Sequence, residues 1–149
     1  MRKILGVALL ATTAFVIMVG SPSIFGLLAN AITLTSVGSV KTVGVEAYWD
    51  TGGKNKVSSI DWGAIEPGST KNVIIHLKNE GNAPITLSLN ATKWNPSSAS
   101  NYITLKWDYS PGQQINPGNI VQVTLMLTVS SSVSGISSFT FEIIITGTG

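Results

Sequence analysis

The run Asn119-Ile120-Val121-Gln122-Val123-Thr124-Leu125-Met126-Leu127-Thr128-Val129 decides the fold class. Along an extended chain Val121, Val123, Leu125 and Leu127 fall on one side, and Gln122, Thr124, Met126 and Thr128 on the other. A helix would need apolar residues three and four apart, a spacing that mixes the two sets. One apolar face and one polar face describe a strand with core beneath it and water above. Just upstream, Ile115-Asn116-Pro117-Gly118 closes the preceding segment. Pro fixes φ and Gly accepts positive φ, so this is a tight turn feeding the strand.

The same grammar recurs outward in both directions. Leu87 and Leu89 alternate with Thr86, Ser88 and Asn90; Ile103, Leu105 and Trp107 alternate with Thr104, Lys106 and Asp108. Short Val-, Ile-, Thr- and aromatic-rich runs near 43–49, 57–62, 71–79, 84–94, 102–108, 119–129 and 137–146 are separated by Gly, Pro, Asn and Ser. The turn Ile65-Glu66-Pro67-Gly68 leads into Val73, Ile75 and Leu77, as Ile115-Asn116-Pro117-Gly118 leads into Val123, Leu125 and Leu127, with a constant offset of 50 residues. Two equivalent turn-plus-strand units suggest corresponding places in two sheets. The expectation is an all-β chain folded as an antiparallel Ig-like or jelly-roll β-sandwich, with about seven strands and no disulfide.

Composition narrows the chemistry. Of 149 residues 44% are hydrophobic and 11% charged, which excludes disorder, and there is no Cys and one His. That removes disulfides, thiolate metal sites, cysteine nucleophiles and multi-histidine metal centres. His76 lies opposite Val73, Ile75 and Leu77 with no partner histidine, so it reads as packed or solvated. The seven carboxylates are scattered, with no paired acids for general acid–base work. Nucleotide, nucleophile-elbow and zincin motifs do not occur. No enzyme activity, cofactor or resident metal is expected; a calcium ion bridging subunits is the one metal the sequence leaves open.

The first 31 residues read as an address. Arg2-Lys3 precede the apolar run Ile4–Val19, the breaker Gly20-Ser21-Pro22, and Ala29-Asn30-Ala31. These are the parts of a secretory signal peptide cut after Ala31. The alternative is a retained membrane anchor, since about 20 apolar residues suffice to span. After cleavage seven lysines balance seven acids, so the sequence pI near 9.0 is largely the leader's and no nucleic acid is implied. The chain is expected at the cell surface or outside it, with no membrane contact once the leader is gone.

Three further features bear on function. Asn90-Ala91-Thr92 is an N-x-Thr sequon on the polar face of its strand, making Asn90 a candidate glycosylation site. Four Trp residues lie in or at the ends of strands; most such rings fill cores, but Trp62 and Trp94 stand beside polar loops and are the candidate surface aromatics. The segment Ile32-Thr33-Leu34-Thr35-Ser36-Val37-Gly38-Ser39-Val40 opens the mature chain as an extra strand. It either joins its own sheet as an eighth strand or completes the sheet of a neighbour. Donation of a strand supplies main-chain hydrogen bonds and seats alternate side chains, and head-to-tail donation does not close. In that reading residues 32–42 form a donor strand and hinge, with Ile32, Leu34 and Val37 as the donated side chains and 43–149 as the sandwich. An isolated chain should then hold the segment poorly or not at all.

The strings Ile60-Asp61-Trp62-Gly63-Ala64-Ile65-Glu66-Pro67-Gly68 and Lys78-Asn79-Glu80-Gly81-Asn82-Ala83-Pro84 resemble those of secreted archaeal surface proteins of the bundling-pilus type. So do Tyr102–Tyr109, the Ile115 turn and Gly135–Phe141, and the likeness spans most of residues 43–146. That group is similar in fold to the bacterial biofilm-matrix filament protein TasA. The resemblance implies a β-sandwich with a Sec-type leader that polymerises by N-terminal strand donation, whose partners are copies of itself and, through bundling, neighbouring filaments or other cells. Without it, the runner-up is a solitary surface module, membrane-anchored and binding glycans or other surface proteins.

Overall fold

The computed structural model describes residues 33–149. It is a β-sandwich of eight strands: β1 (Leu34–Val43), β2 (Glu46–Tyr48), β3 (Ser59–Ile65), β4 (Thr70–Lys78), β5 (Thr86–Asn95), β6 (Ile103–Trp107), β7 (Ile120–Val129) and β8 (Ser138–Thr148). One sheet has the order β3-β1-β8-β5 and the other β2-β4-β7-β6. A 3-10 turn, Ser97–Asn101, buries Ala99 in the connection from β5 to β6. All strand pairs are antiparallel except β1 with β8, which run parallel. Parallel pairing within one chain needs a long connection, and residues 44–137, which form the rest of the sandwich, supply it.

The core is the sum of the inward faces. Val123, Leu125, Leu127 and Val129 of β7 oppose Ile143, Ile145, Phe139 and Phe141 of β8 across the sandwich, joined by Ile75, Leu77, Ile60 and Ile65. All twelve are fully or almost fully buried. The alternation read in 119–129 is thus the pleat of β7, with Gln122 and Thr128 facing water.

The fifty-residue repeat is real but sits differently from the expectation. Its two strands, β4 and β7, are antiparallel neighbours in one sheet and not counterparts in two. They are related by a local two-fold. Gly68 N–H donates to Val129 O at 2.8 Å, and Gly118 N–H donates to Asn79 O at 2.8 Å. Val129 N–H returns a bond to Ser69 O, and Asn79 N–H one to Asn119 O, at 3.0 and 3.1 Å. Each Pro-Gly turn therefore seals the far end of the other unit's strand. Gly68 and Gly118 have φ of +79° and +76°, which is why Gly is required there. A repeat with constant offset cannot distinguish facing sheets from neighbouring strands, since both obey the same spacing.

Candidate functional site

The place where the N-terminal strand meets its sheet is the most unusual feature of the molecule. β1 lies between β3 and β8, hydrogen-bonded along both sides: Ser39 is level with Ser59 on one side and Glu142 on the other. The expectation that this segment packs loosely against its own domain is corrected; β1 is an interior strand of its own sheet. Of the named donor side chains, Leu34 is fully buried. Val37 points outward and is 44% exposed, because an odd spacing from Leu34 places it on the opposite face of the pleat. Ile32 lies outside the described residues, as does the leader.

The inward face of β1 is Leu34, Ser36, Gly38, Val40 and Thr42, a thin contribution to an otherwise aliphatic and aromatic core. Gly38 is fitted to its surroundings: a Cβ there would lie 3.1 Å from Ile143 Cδ1 and 3.2 Å from both Phe141 Cζ and Trp62 Nε1. The hydroxyl of Ser36 and the indole N–H of Trp62 are buried without a hydrogen-bond partner. Such groups cost on the order of 1–3 kcal/mol each, so β1 brings main-chain pairing at the expense of side-chain satisfaction. Beside them the register with β3 slips between Ser36 and Val37, opposite a bulge at Gly63 (φ +67°). The bulge is held by Asp61, whose Oδ1 accepts the Gly63 N–H at 2.8 Å.

β1 joins the rest of the domain through very little chain. After Val43, Gly44 (φ +69°) reverses direction and Val45 is already 3% exposed in the core. β2 begins at Glu46 in the opposite sheet.

Other singled-out residues fall elsewhere. Trp62 is 3% exposed, which corrects its assignment as a surface aromatic: its polar neighbours Asp61 and Gly63 are the bulge, and the ring turns inward. Trp94 is half-buried and stacked on Phe141 at a centroid distance of 4.5 Å and an angle of 7°, so one ring face is taken. The exposed indole is Trp49, 43% accessible, which was not singled out. Asn90 is exposed on the outer face of β5, an edge strand, and level with Ile144. An apolar cleft of about 350 Å³ opens between β5 and β6, lined by Leu87, Leu89, Leu105, Trp107, Tyr109 and Pro111 among others.

The polar side chains that are organised serve turns. Asp50 accepts backbone N–H groups from Asn55 at 2.7 Å and from Lys54 and Gly52 at 3.1 Å. The Asn55 bond first, then the others, hold its carboxyl below the ordinary 3.8, against partial desolvation. Tyr48 donates its hydroxyl to Glu80 Oε1 at 2.7 Å; that bond, with burial, pushes the phenol up to about 12 and, with the Lys78 ammonium, lowers Glu80. His76 is buried beside Tyr48 and Gln122 in the register, with neither ring nitrogen partnered. Among the described residues no three His, Asp or Glu side chains stand together in a way that could hold a metal ion. Among the same residues no helix is long and apolar enough to cross a membrane.

Asn79, in the connection from β4 of one sheet to β5 of the other, is structurally central. Asn79 is fully buried, donating from Nδ2 to Ala83 O at 2.7 Å and Ile115 O at 2.9 Å while Oδ1 accepts from Gly81 N–H at 2.9 Å. No known family model and no curated protein matches this chain.

Proposed function

We propose that this chain is a structural, non-catalytic subunit of an extracellular filament, in which β1 of one copy fills the slot between β3 and β8 of the next. The observation that carries the reading is the disparity at β1. The full pairing of β1 inside its own sheet counts against donation of a loose segment; what supports the reading is that β1 brings to the core only Leu34 and Val40 as aliphatic side chains and is linked onward through Gly44. Exchanging such a strand between copies conserves every main-chain bond it makes, so the cost of opening is recovered on closing in the partner. The contact is heterologous and does not close on itself, which gives a filament. The pairing of β1 with its own chain is then the resting state of a lone subunit.

Export rests on the leader pattern of residues 1–31, and the bundling-pilus resemblance rests on the quoted motifs. Asn90 is exposed on β5, level with Ile144 of β8 and through it with Lys41 of β1, so a glycan there would stand on the same sheet face as the slot. The competing reading, a membrane-anchored glycan-binding module, is weakened by the burial of Trp62 and the stacking of Trp94.

The test is electron microscopy of the secreted protein across a concentration series, beside a variant lacking residues 34–43. Filaments from the first and none from the second are expected, with a peptide of sequence Leu34–Val43 restoring a folded, soluble particle to the deletion variant. A full-length protein that stays as discrete particles at every concentration overturns the proposal.

A further inference from the structure

Each sheet has two outer strands: β3 and β5 in one, β2 and β6 in the other. An outer strand offers unpaired main-chain groups to any second strand, and such edges are blunted by charge, bulges or cover. Three of the four are blunted here. β2 is three residues long and covered by the returning chain, where Trp49 N–H donates to Asn55 O at 2.8 Å and Val57 N–H to Ala47 O at 2.9 Å. β3 carries the Asp61 carboxylate and the bulge at Gly63. β6 is five residues long, with the exposed Lys106 among them.

β5 is closed at both ends and open in the middle. At its start Ile85 and Ile115 exchange main-chain bonds at 3.1 and 2.8 Å, and Leu87 N–H donates to the Tyr109 hydroxyl at 3.1 Å. Ile85 and Leu87 thus turn their main chain away from β8, and by the alternation of an antiparallel ladder Leu89 and Ala91 do the same. At the far end Lys93 takes φ +52°, leaves the register and pairs with Glu142 at 3.1 Å. Between them runs Ser88-Leu89-Asn90-Ala91-Thr92, with no charge and no Pro. Among the described residues nothing meets the outward N–H and C=O groups of Leu89 and Ala91.

This stretch is its own complement. Turned end for end about Asn90, it sets Ser88 against Thr92, Leu89 against Ala91 and Asn90 against Asn90. No other antiparallel register lets both free positions bond. A shift one way brings in Leu87, whose N–H is taken by Tyr109; a shift the other way brings in Lys93, which has left the ladder.

We propose that the free edge of β5 is a self-association surface, joining two copies by antiparallel pairing of residues 88–92 with Asn90 at the two-fold. The sheet β3-β1-β8-β5 then continues through the β5 of the second copy. The apolar cleft between β5 and β6 lies on the same flank and is covered by the same approach. Five paired residues make a contact only about 17 Å long, short of the roughly 1,200 Å² that a stable interface buries. The pair is therefore weak between free subunits and strong only where copies are concentrated or lined up. It lies beyond β8 from β1 and takes no part in strand donation, so assembly through β1 proceeds with or without it.

The test uses the full chain, which has no cysteine of its own, with single cysteines on the outer face of β5. Asn90→Cys sets two thiols opposite each other at a non-hydrogen-bonded pair, where Cα atoms approach to about 4.5 Å, within reach of a disulfide. Ser88→Cys is exposed on the same face, but its mate is Thr92 and its two thiols stand apart. A glycan at Asn90 would occupy the two-fold, so both proteins are made without one. They are oxidised in a glutathione buffer at equal concentration and run on a denaturing gel. One thiol per copy stops the product at a dimer, in dispersed and assembled protein alike, so the result stands apart from the filament reading. Asn90→Cys should form dimer at least about tenfold faster than Ser88→Cys. The excess should vanish in Asn90→Cys/Ala91→Pro, since proline removes an N–H that nothing inside the copy uses. Equal rates, or an excess that survives Ala91→Pro, overturn the proposal. Should the proline variant fail to fold, Asn90→Lys and Asn90→Asp replace it. Mixed together, these two should be joined at their substituted positions by zero-length carbodiimide coupling, read by mass spectrometry, because opposite charges then face each other across the pair. Coupling absent at those positions also overturns the proposal.

Discussion

Replacing Asn79 by Ala should be among the most damaging single changes outside the hydrophobic core. Its side chain is fully buried and makes three hydrogen bonds, tying the 79–84 connection to the turn that precedes β7. Truncation strands Ile115 O in the interior, at about 1–3 kcal/mol, and Ala83 O and Gly81 N–H nearer the surface at about half that each. The expected loss is about 2–6 kcal/mol, which for a domain of this size lowers Tm by roughly 8–25 °C. Circular dichroism melts, with urea titration for the free energy, measure it. Asn79→Asp keeps the acceptor for Gly81 but sets a carboxylate against two carbonyl oxygens, so it should be worse than Ala at neutral pH and recover partly in acid. A loss below about 1 kcal/mol for Asn79→Ala, or an Asp variant as stable as wild type, would refute the claim that Asn79 organises this end of the sandwich.

Trp62→Ala empties a buried site and should cost about 3–5 kcal/mol, whereas Trp49→Ala should change stability by no more than about 0.5 kcal/mol, both read by urea denaturation. The Tyr48–Glu80 bond gives stability a dependence at both ends of the pH scale. Glu80 is lowered from its ordinary 4.5, so its contribution is complete above that value and is lost as pH falls through the folded-state value. Tyr48 is raised from 10.0 to about 12, so its contribution is complete below pH 10 and is lost as pH rises toward 12. Tyr48→Phe should flatten the alkaline limb and reduce the acid limb in a series of urea midpoints. If the protein is made in a host that exports it and glycosylates sequons, intact-mass measurement should show a glycan that Asn90→Gln removes without altering assembly.

Much of the fold was legible because alternation has a period of two, and a chain that keeps it across 120–129 can hardly be anything but a half-buried strand. Strands β3 to β8 fall within a few residues of the runs that predicted them. What the alternation does not carry is partnership. The parallel pairing of Ser39 with Glu142 joins residues a hundred positions apart, and nothing local distinguishes it from pairing with another chain. The same limit governs the repeat, whose two halves turned out to be neighbours in one sheet. Trp62 was misassigned because Asp61 and Gly63 look like a polar loop, whereas they form a bulge within β3 that keeps the indole facing inward. Val37 was grouped with Leu34 by hydrophobicity alone, although three positions of spacing put them on opposite faces. Asn79 was readable as a turn residue, since an Asn side chain bonds the backbone two residues on, here Gly81 N–H, but not as a buried one. Its burial depends on the distant turn at Ile115, which the sequence does not bring near.

Strand donation requires β1 to leave its own sheet for another copy's. The chain has no cysteine, so a pair can be placed without background. Ser39 on β1 and Ser59 on β3 are level with each other on the outer face and both exposed, a position suited to a disulfide when the two strands are paired. The variant Ser39→Cys/Ser59→Cys should be allowed to assemble under reducing conditions, then oxidised and run on a denaturing gel without reductant. Donation should give a ladder of covalent multimers from the assembled protein and a monomer band from the dilute protein. A monomer band alone from well-formed filaments would show that β1 never leaves home, and would contradict it.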